Sequence, residues 1–240
     1  MPASSDSANS YWPGDEHFEH RYEMLGEYTT VMQQLWANGQ SDFKGKYFTM
    51  NDCRLGPLPS RPIPMICAGT SDAGMAFAAK HCAYNFCSGN GQMNDPRDCA
   101  DSVARLKACT TAAGTDTKAL ALTMIIADET DAAAMAKWEH YKAGVDLDAL
   151  SWSRAQAGAD KYAADNSTAG RIRRREPLPN SGSRLIGSYA TVARLLDEMS
   201  EIDGLAGVML TFDDFVIGVE QFGQRIQPLM RSRRNLAAAA

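Results

Sequence analysis

Arg61-Pro-Ile-Pro-Met-Ile-Cys-Ala-Gly-Thr-Ser-Asp-Ala-Gly-Met-Ala-Phe-Ala-Ala-Lys80 decides how this chain is read. An apolar run, Met65–Ala68, stops at Gly69. Thr70, Ser71 and Asp72 follow, and then small and apolar residues as far as His81. That order spells a short strand, a tight turn and a helix over about 72–81, capped at its N-terminus by Ser71 or Asp72. The prolines between 57 and 64 push the residues before them out of the helical region, so this stretch reads as a connector that delivers the strand.

The same unit recurs downstream. Ala83–Cys87 reads as a strand, Ser88–Gly91 as a loop and 96–113 as a helix. Ala119–Ala127 and Asp131–Ala143 form a third strand and helix. A polar segment, Arg154–Gly182, interrupts; a helix over Tyr189–Met199, a strand over Ala206–Phe212 and a closing helix over Val216–Met230 follow. Strands alternating with helices imply parallel pairing through right-handed crossovers. The strands are continuous apolar runs, the pattern of a covered parallel sheet or a barrel core. About four βα units are visible where a (β/α)8 barrel needs eight. Upstream, Phe18, Tyr22, Leu25, Tyr28, Met32, Leu35 and Trp36 recur at helical spacing from Asp15 to a stop at Gly39, and Phe43–Met50 suits a hairpin arm. Residues 1–10 read as a disordered polar tail and 231–240 as a tail without a signal, leaving 11–230 as one domain.

The chain has 240 residues, a net charge of −5 and 45% hydrophobic residues, enough for a substantial core. Its acidic balance argues against a nucleic-acid footprint. The basic run Arg171–Arg175 is local and reads as a solvated loop. No apolar run approaches the roughly 20 residues of a membrane span, and the N-terminus lacks a secretory pattern. Six cysteines at 53, 67, 82, 87, 99 and 109 form no CxxC pair. They read as reduced thiols, with a cytoplasmic location.

In α/β proteins ligands gather at the carboxyl ends of strands, where Gly69–Asp72 lies. A helix N-terminus there favours an anion, commonly phosphate, and Ser71 adds a hydroxyl donor. An ordinary cap without a ligand is the simpler reading of this motif alone. Arg21 offers a planar charged fork with the Tyr22 hydroxyl beside it, although periodicity by itself puts Tyr22 in the core and Arg21 on the surface. His17 and His20 are three residues apart but have no carboxylate at ligand spacing, so no metal is expected. No Ser-His-Asp order or nucleophile elbow is present, and Gly89-Asn-Gly91 is too short for a dinucleotide fingerprint. Asp213–Asp214, after the last strand, reads equally as a helix cap or a site-facing pair. The residues alone name no catalytic group.

Taken in order, Tyr11–Asp15 (YWPGD), His20–Glu23 (HRYE), Ser41–Gly45 (SDFKG), Phe48–Arg54 (FTMNDCR), Cys67–Phe77 (CAGTSDAGMAF), Ile126–Asp131 (IADETD), Lys137–Gly144 (KWEHYKAG), Leu150–Trp152 (LSW), Gly187–Ala190 (GSYA), Leu210–Phe215 (LTFDDF) and Arg225–Met230 (RIQPLM) resemble the luciferase-like, flavin-dependent monooxygenases. Within that family they are most similar to its pyrimidine-oxidising branch. The resemblance runs from about Tyr11 to Met230. It implies a TIM (β/α)8 barrel with FMN at the carboxyl ends of the strands, its phosphate held in part by positions matching Arg21, Tyr22 and Ser71. The implied chemistry uses FMN reduced by an NADH-dependent flavin reductase, with O2 as co-substrate. A flavin peroxide would open uracil or thymine between N3 and C4, a step of pyrimidine catabolism. The alternatives are another substrate in the same family, such as an alkanesulfonate, and a non-catalytic remnant.

Residues 154–182 fall where the family carries a mobile insertion, so a lid or a disordered loop is expected there. The resemblance begins partway along the family's barrel. The expectation is therefore its C-terminal part, about four βα units with open sheet edges and a tendency to self-associate.

Overall fold

In a computed structural model, residues 15–174, 178 and 182–233 are described. Helix α1, Asp15–Asn38, ends at Gly39, whose φ of +72° is the left-handed conformation that glycine adopts without a Cβ penalty. Two short antiparallel strands follow, β1 (Gln40–Ser41) and β2 (Cys53–Arg54), with a bridge between Lys44 and Thr49 inside the arm they frame. Glu27 on α1 fixes this hairpin by accepting the amides of Lys46, Tyr47 and Phe48 at 2.7, 2.8 and 2.9 Å. The α1 stripe is only partly covered, however. Thr29 and Val31 are buried, whereas Leu25 and Tyr28 are exposed.

Strand β3 (Ile66–Cys67), helix α2 (Asp72–His81), strand β4 (Tyr84–Cys87), helix α3 (Ala100–Ala113) and strand β5 (Lys118–Asp128) continue the chain. Helix α4 spans Asp131–Ala143, α5 Leu147–Gly158 and α6 Thr168–Arg174; strand β6 is Arg184–Ser188, helix α7 Tyr189–Met199 and strand β7 Leu205–Phe212. Helix α8 (Phe215–Gln221) passes into a π turn, Phe222–Ile226, and 3-10 turns at Gln227–Leu229 and Arg231–Arg233. The expected closing helix over 216–230 is thus three short pieces. Pro228 lacks an amide and its ring clashes with the carbonyl four residues earlier, so a regular helix cannot run through it.

The five main strands form one parallel sheet. The long β5 organises it. Its residues 118–121 pair with β4 and residues 124–128 with β6. Strand β7 pairs with residues 119–125, overlapping both, and so takes the opposite edge. Among the described residues the sheet remains an open arc with β7 beside β5. Strand β6 adds a fifth unit that the sequence reading did not resolve, because only Leu185-Ile186 in Arg184-Leu-Ile-Gly-Ser188 is strongly apolar.

One face of the sheet, through Ala119, Ala121, Ile125, Leu185 and Phe212, packs under α3, α7, Ile226 and Met230. Residues Val192, Leu195, Leu196 and Met199 place the apolar stripe of α7 in that core. On the other face α4 sets Ala134 and Trp138 against Ile126 and Ile186. Beyond the reach of α4, Ile66, Leu122 and Met209 on that same face are exposed. All six cysteines are free thiols, and burial pushes Cys82 and Cys99 up to about 11. No described helix is long and apolar enough to cross a membrane. Of the tails expected at 1–10 and 231–240, Arg231–Arg233 form the last 3-10 turn, while 1–10 and 234–240, together with Arg175, lie outside the described residues.

Candidate functional site

At the carboxyl end of β3 the chain must turn into α2 within four residues. Gly69 and Gly74 allow the turn to fold onto the helix. A Cβ on Gly69 would meet the Gly74 backbone at 2.7 Å, and one on Gly74 would meet Gly69 Cα at 2.8 Å and Tyr22 Oη at 2.5 Å. Real Cβ atoms do not approach that closely, so neither position accepts a side chain without movement. Ser71 is the N-cap, its Oγ accepting the Gly74 amide at 3.2 Å. Asn85, fully buried on β4, holds the turn from below: its Oδ1 accepts the Gly69 amide at 3.1 Å and its Nδ2 donates to the Gly69 carbonyl at 3.0 Å. Arg105 on α3 donates to the Thr70 carbonyl at 3.3 Å and to Asp72 at 2.5 Å. Asp72 is thereby drawn into an ion pair at the edge of the turn.

Helix α1 crosses this turn. Tyr22 packs its ring 5.9 Å from that of Phe77 and brings its hydroxyl to 3.4 Å from Ser71 Oγ. One residue earlier, Arg21 reaches Asp160 at 2.7 Å. These groups border a cavity of about 710 Å3 lined by α1, the 68–73 turn and residues 153–172, a size within the usual range of small-molecule pockets. Arg21, Tyr22 and Ser71, the three positions singled out from the sequence, therefore meet around one space. The residues that open α2 share it, where a helix N-terminus favours negative charge.

The rest of the wall comes from the polar segment expected to be a lid or disordered loop. Its first residues, 154–158, end α5, whose N-cap Asp146 accepts the Ala149 amide at 2.9 Å, and residues 168–174 form α6. Asp160 and Thr168 line the cavity, with Thr168 3.4 Å from Thr70. Residues 171–174 of the basic run end helix α6 instead of lying in a loop. Arg171 donates to the Ser88 carbonyl at 2.9 Å, Arg173 to that of Asp160 at 2.8 Å and Arg174 to that of Asp165 at 2.6 Å, pinning the segment to itself and to the loop after β4. Sequence reasoning missed Asp160, Asn85 and Arg105. The Asp146 cap was a visible helix signal; the cross-chain partners of Asn85 and Arg105 left none.

The remaining candidates lie elsewhere. Asp214 caps α8, accepting the Val216 and Ile217 amides at 3.0 Å. Asp213 accepts the Tyr141 hydroxyl at 2.8 Å. Burial, followed by that hydrogen bond, pushes Tyr141 up to about 12. His20 approaches Glu23 at 3.6 Å, His81 stacks on Phe77, and the His17 side chain lies outside the described residues. No metal-binding cluster is present among the described residues.

The sequence profile of the luciferase-like monooxygenases matches residues 3–204, and the chain belongs to that family. Among its relatives, the pyrimidine monooxygenase RutA of Cronobacter sakazakii is 53% identical over 94% of this chain and 66% of its own length. The RutA protein of Stutzerimonas stutzeri is 53% identical over 95% and 62%. The chain thus spans somewhat less than two thirds of these curated relatives. Two solved structures share the fold: a riboflavin lyase, RcaE, at a TM-score of 0.74 and 18% identity, covering 96% of this chain and 61% of that one, and the long-chain alkane monooxygenase LadA at 0.71 and 22%, covering 96% and 60%. The expectation of a luciferase-like α/β fold holds.

Proposed function

We propose that this chain carries the FMN phosphate site of a pyrimidine monooxygenase. On this reading the enzyme opens the uracil or thymine ring between N3 and C4 with O2, using FMN reduced by an NADH-dependent flavin reductase. The observation that supports it is the convergence of Arg21, Tyr22, Ser71 and the start of α2 on one cavity at a strand's carboxyl end. The donor set suits a phosphate. Arg21 supplies a charged planar fork, Tyr22 and Ser71 supply hydroxyls, and the glycine-glycine contact lets the backbone come close. Bound and reduced, FMN supplies the two-electron chemistry by which O2 is activated. The chain's own residues bind and orient. Tyr22 fixes α1 against the turn, Ser71 divides its oxygen between the helix cap and the cavity, and α5 and α6 form one side of the space. The 53% identity to proteins named pyrimidine monooxygenase RutA supports the substrate class.

The test is product analysis. The chain is incubated in air with FMN, NADH, a flavin reductase and either uracil or an alkanesulfonate. Loss of uracil to a ring-opened ureidoacrylate-type product, with the sulfonate untouched, is expected. Sulfite release instead would move the substrate class. Turnover of neither would leave the phosphate site without the reaction assigned to it.

A further inference from the structure

Arg21 is already committed. Its guanidinium meets Asp160, whose side chain is only 8% exposed, at 2.7 Å. Asp160 belongs to neither α1 nor the 68–73 turn. It sits between α5 and α6 and is tied to the same segment: its carboxylate Oδ1 accepts the Tyr162 amide at 3.1 Å and its backbone carbonyl accepts Arg173 at 2.8 Å. Among the described residues lining the cavity, Arg21 is the arginine, and of the carboxylates there (Glu19, Asp72 and Asp160) Asp160 is already paired with it. At the second strand–serine–helix turn the carboxylate lies on the turn itself: Asp131 of α4 accepts the Ser188 amide at 2.6 Å at the start of α7. Asp160 instead pairs with Arg21, and the segment that carries it is held over the cavity by side-chain contacts, Thr70 to Thr168 at 3.4 Å, Asp72 to Asn166 at 3.2 Å and Arg171 to the Ser88 carbonyl at 2.9 Å.

We infer that Asp160 is an affinity-setting residue that a phosphate must displace: the ligand's phosphate exchanges for the Asp160 carboxylate on Arg21 and loosens the 147–174 segment from the cavity. This inference rests on the phosphate reading above. The physical ground is that a phosphate dianion and a carboxylate compete for one guanidinium fork. Arginine binds either in the same planar geometry, and holding both anions beside one cation leaves one negative charge uncompensated. The exchange separates phosphorylated from unphosphorylated flavin, because riboflavin carries no group able to displace Asp160.

The experiment compares FMN and riboflavin binding to the wild-type chain and to Asp160→Asn by fluorescence quenching, alongside limited trypsin digestion of the wild type. Asparagine keeps the acceptor for the Tyr162 amide and removes the charge. The expected result is FMN binding at least fivefold tighter in Asp160→Asn with riboflavin unchanged, and faster wild-type cleavage after Lys161 with FMN but not with riboflavin. Equal or weaker FMN binding by the variant, or cleavage slowed by FMN, overturns the exchange and makes Asp160 a clamp, with the phosphate reading intact. Absence of FMN binding by both proteins overturns the phosphate reading and the exchange with it. Should the variant not fold, the wild-type digestion decides alone.

Discussion

Replacing Asn85 by alanine tests how the turn is held. The Asn85 carboxamide is fully buried and stands in for a strand neighbour of Gly69, accepting its amide at 3.1 Å and donating to its carbonyl at 3.0 Å. Gly69 is itself buried, so truncation leaves an N–H and a C=O without partners in a place poor in water. Each orphaned buried group costs about 1–3 kcal/mol. Relaxation of the turn lessens the sum, and about 3 kcal/mol is expected. For a chain of this size that lowers Tm by about 6–12 °C. The assay is urea unfolding followed by circular dichroism, with Asn85→Asp beside it. Aspartate keeps the acceptor but sets a carboxylate oxygen against the Gly69 carbonyl, so it should destabilise at least as much at neutral pH. Because the same bonds set the path of Thr70 and Ser71, the alanine variant should also bind FMN more weakly under conditions where it is folded. A stability loss under about 1 kcal/mol for both variants would refute the claim that Asn85 carries the turn.

Three further outcomes follow from the geometry. Gly74→Ala places a methyl 2.5 Å from Tyr22 Oη and 2.8 Å from Gly69 Cα; it should cost about 1–3 kcal/mol and weaken FMN binding by moving Tyr22, as thermal melts and titration would register. Burial raises the Asp197 carboxyl, but hydrogen bonds from the Ser232 and Arg231 amides and their side chains outweigh it and hold it below 3.8. The stabilisation is complete above the unfolded value of about 3.8 and is lost as pH falls through the lower folded value, so the stability gap between wild type and Asp197→Asn should be constant near pH 6 and narrow once pH falls below 3.8; a gap that stays constant there counts against this anchor. The exposed face bearing Ile66, Leu122 and Met209 should bind a hydrophobic dye and promote self-association, and Leu122→Glu should reduce both. A monodisperse, dye-silent wild type by light scattering would contradict that expectation.

What the sequence disclosed follows from range. Helices α2, α4 and α7 were legible because their signals are local, a helical run in each and a cap at Ser71 for α2; the structure adds caps at Thr130 and Ser188. Strand β5 was legible as an apolar run. Strand β6 was not, since its identity depends on pairing with Met124–Asp128. Composition of 154–182 suggested mobility, yet backbone carbonyls capture Arg171, Arg173 and Arg174, contacts that leave no trace in local pattern. Periodicity alone assigned Tyr22 to the core and Arg21 to the surface. The family resemblance singled them out, and the crossing of α1 over the turn brings them to Ser71. Asp160 was hidden because its meaning comes from an arginine 139 positions away in the chain.

The most direct measurement of the central claim is FMN binding by this chain, titrated by flavin fluorescence, with Arg21→Ala and Ser71→Ala as partners. Losing a charge-assisted hydrogen bond to phosphate costs about 1.5–3 kcal/mol, so Arg21→Ala should weaken binding at least tenfold, and Ser71→Ala by a smaller but measurable factor. That pattern, absent for riboflavin, is the result the account predicts. Equal FMN affinity in all three proteins, or no FMN binding by the wild type, would contradict it.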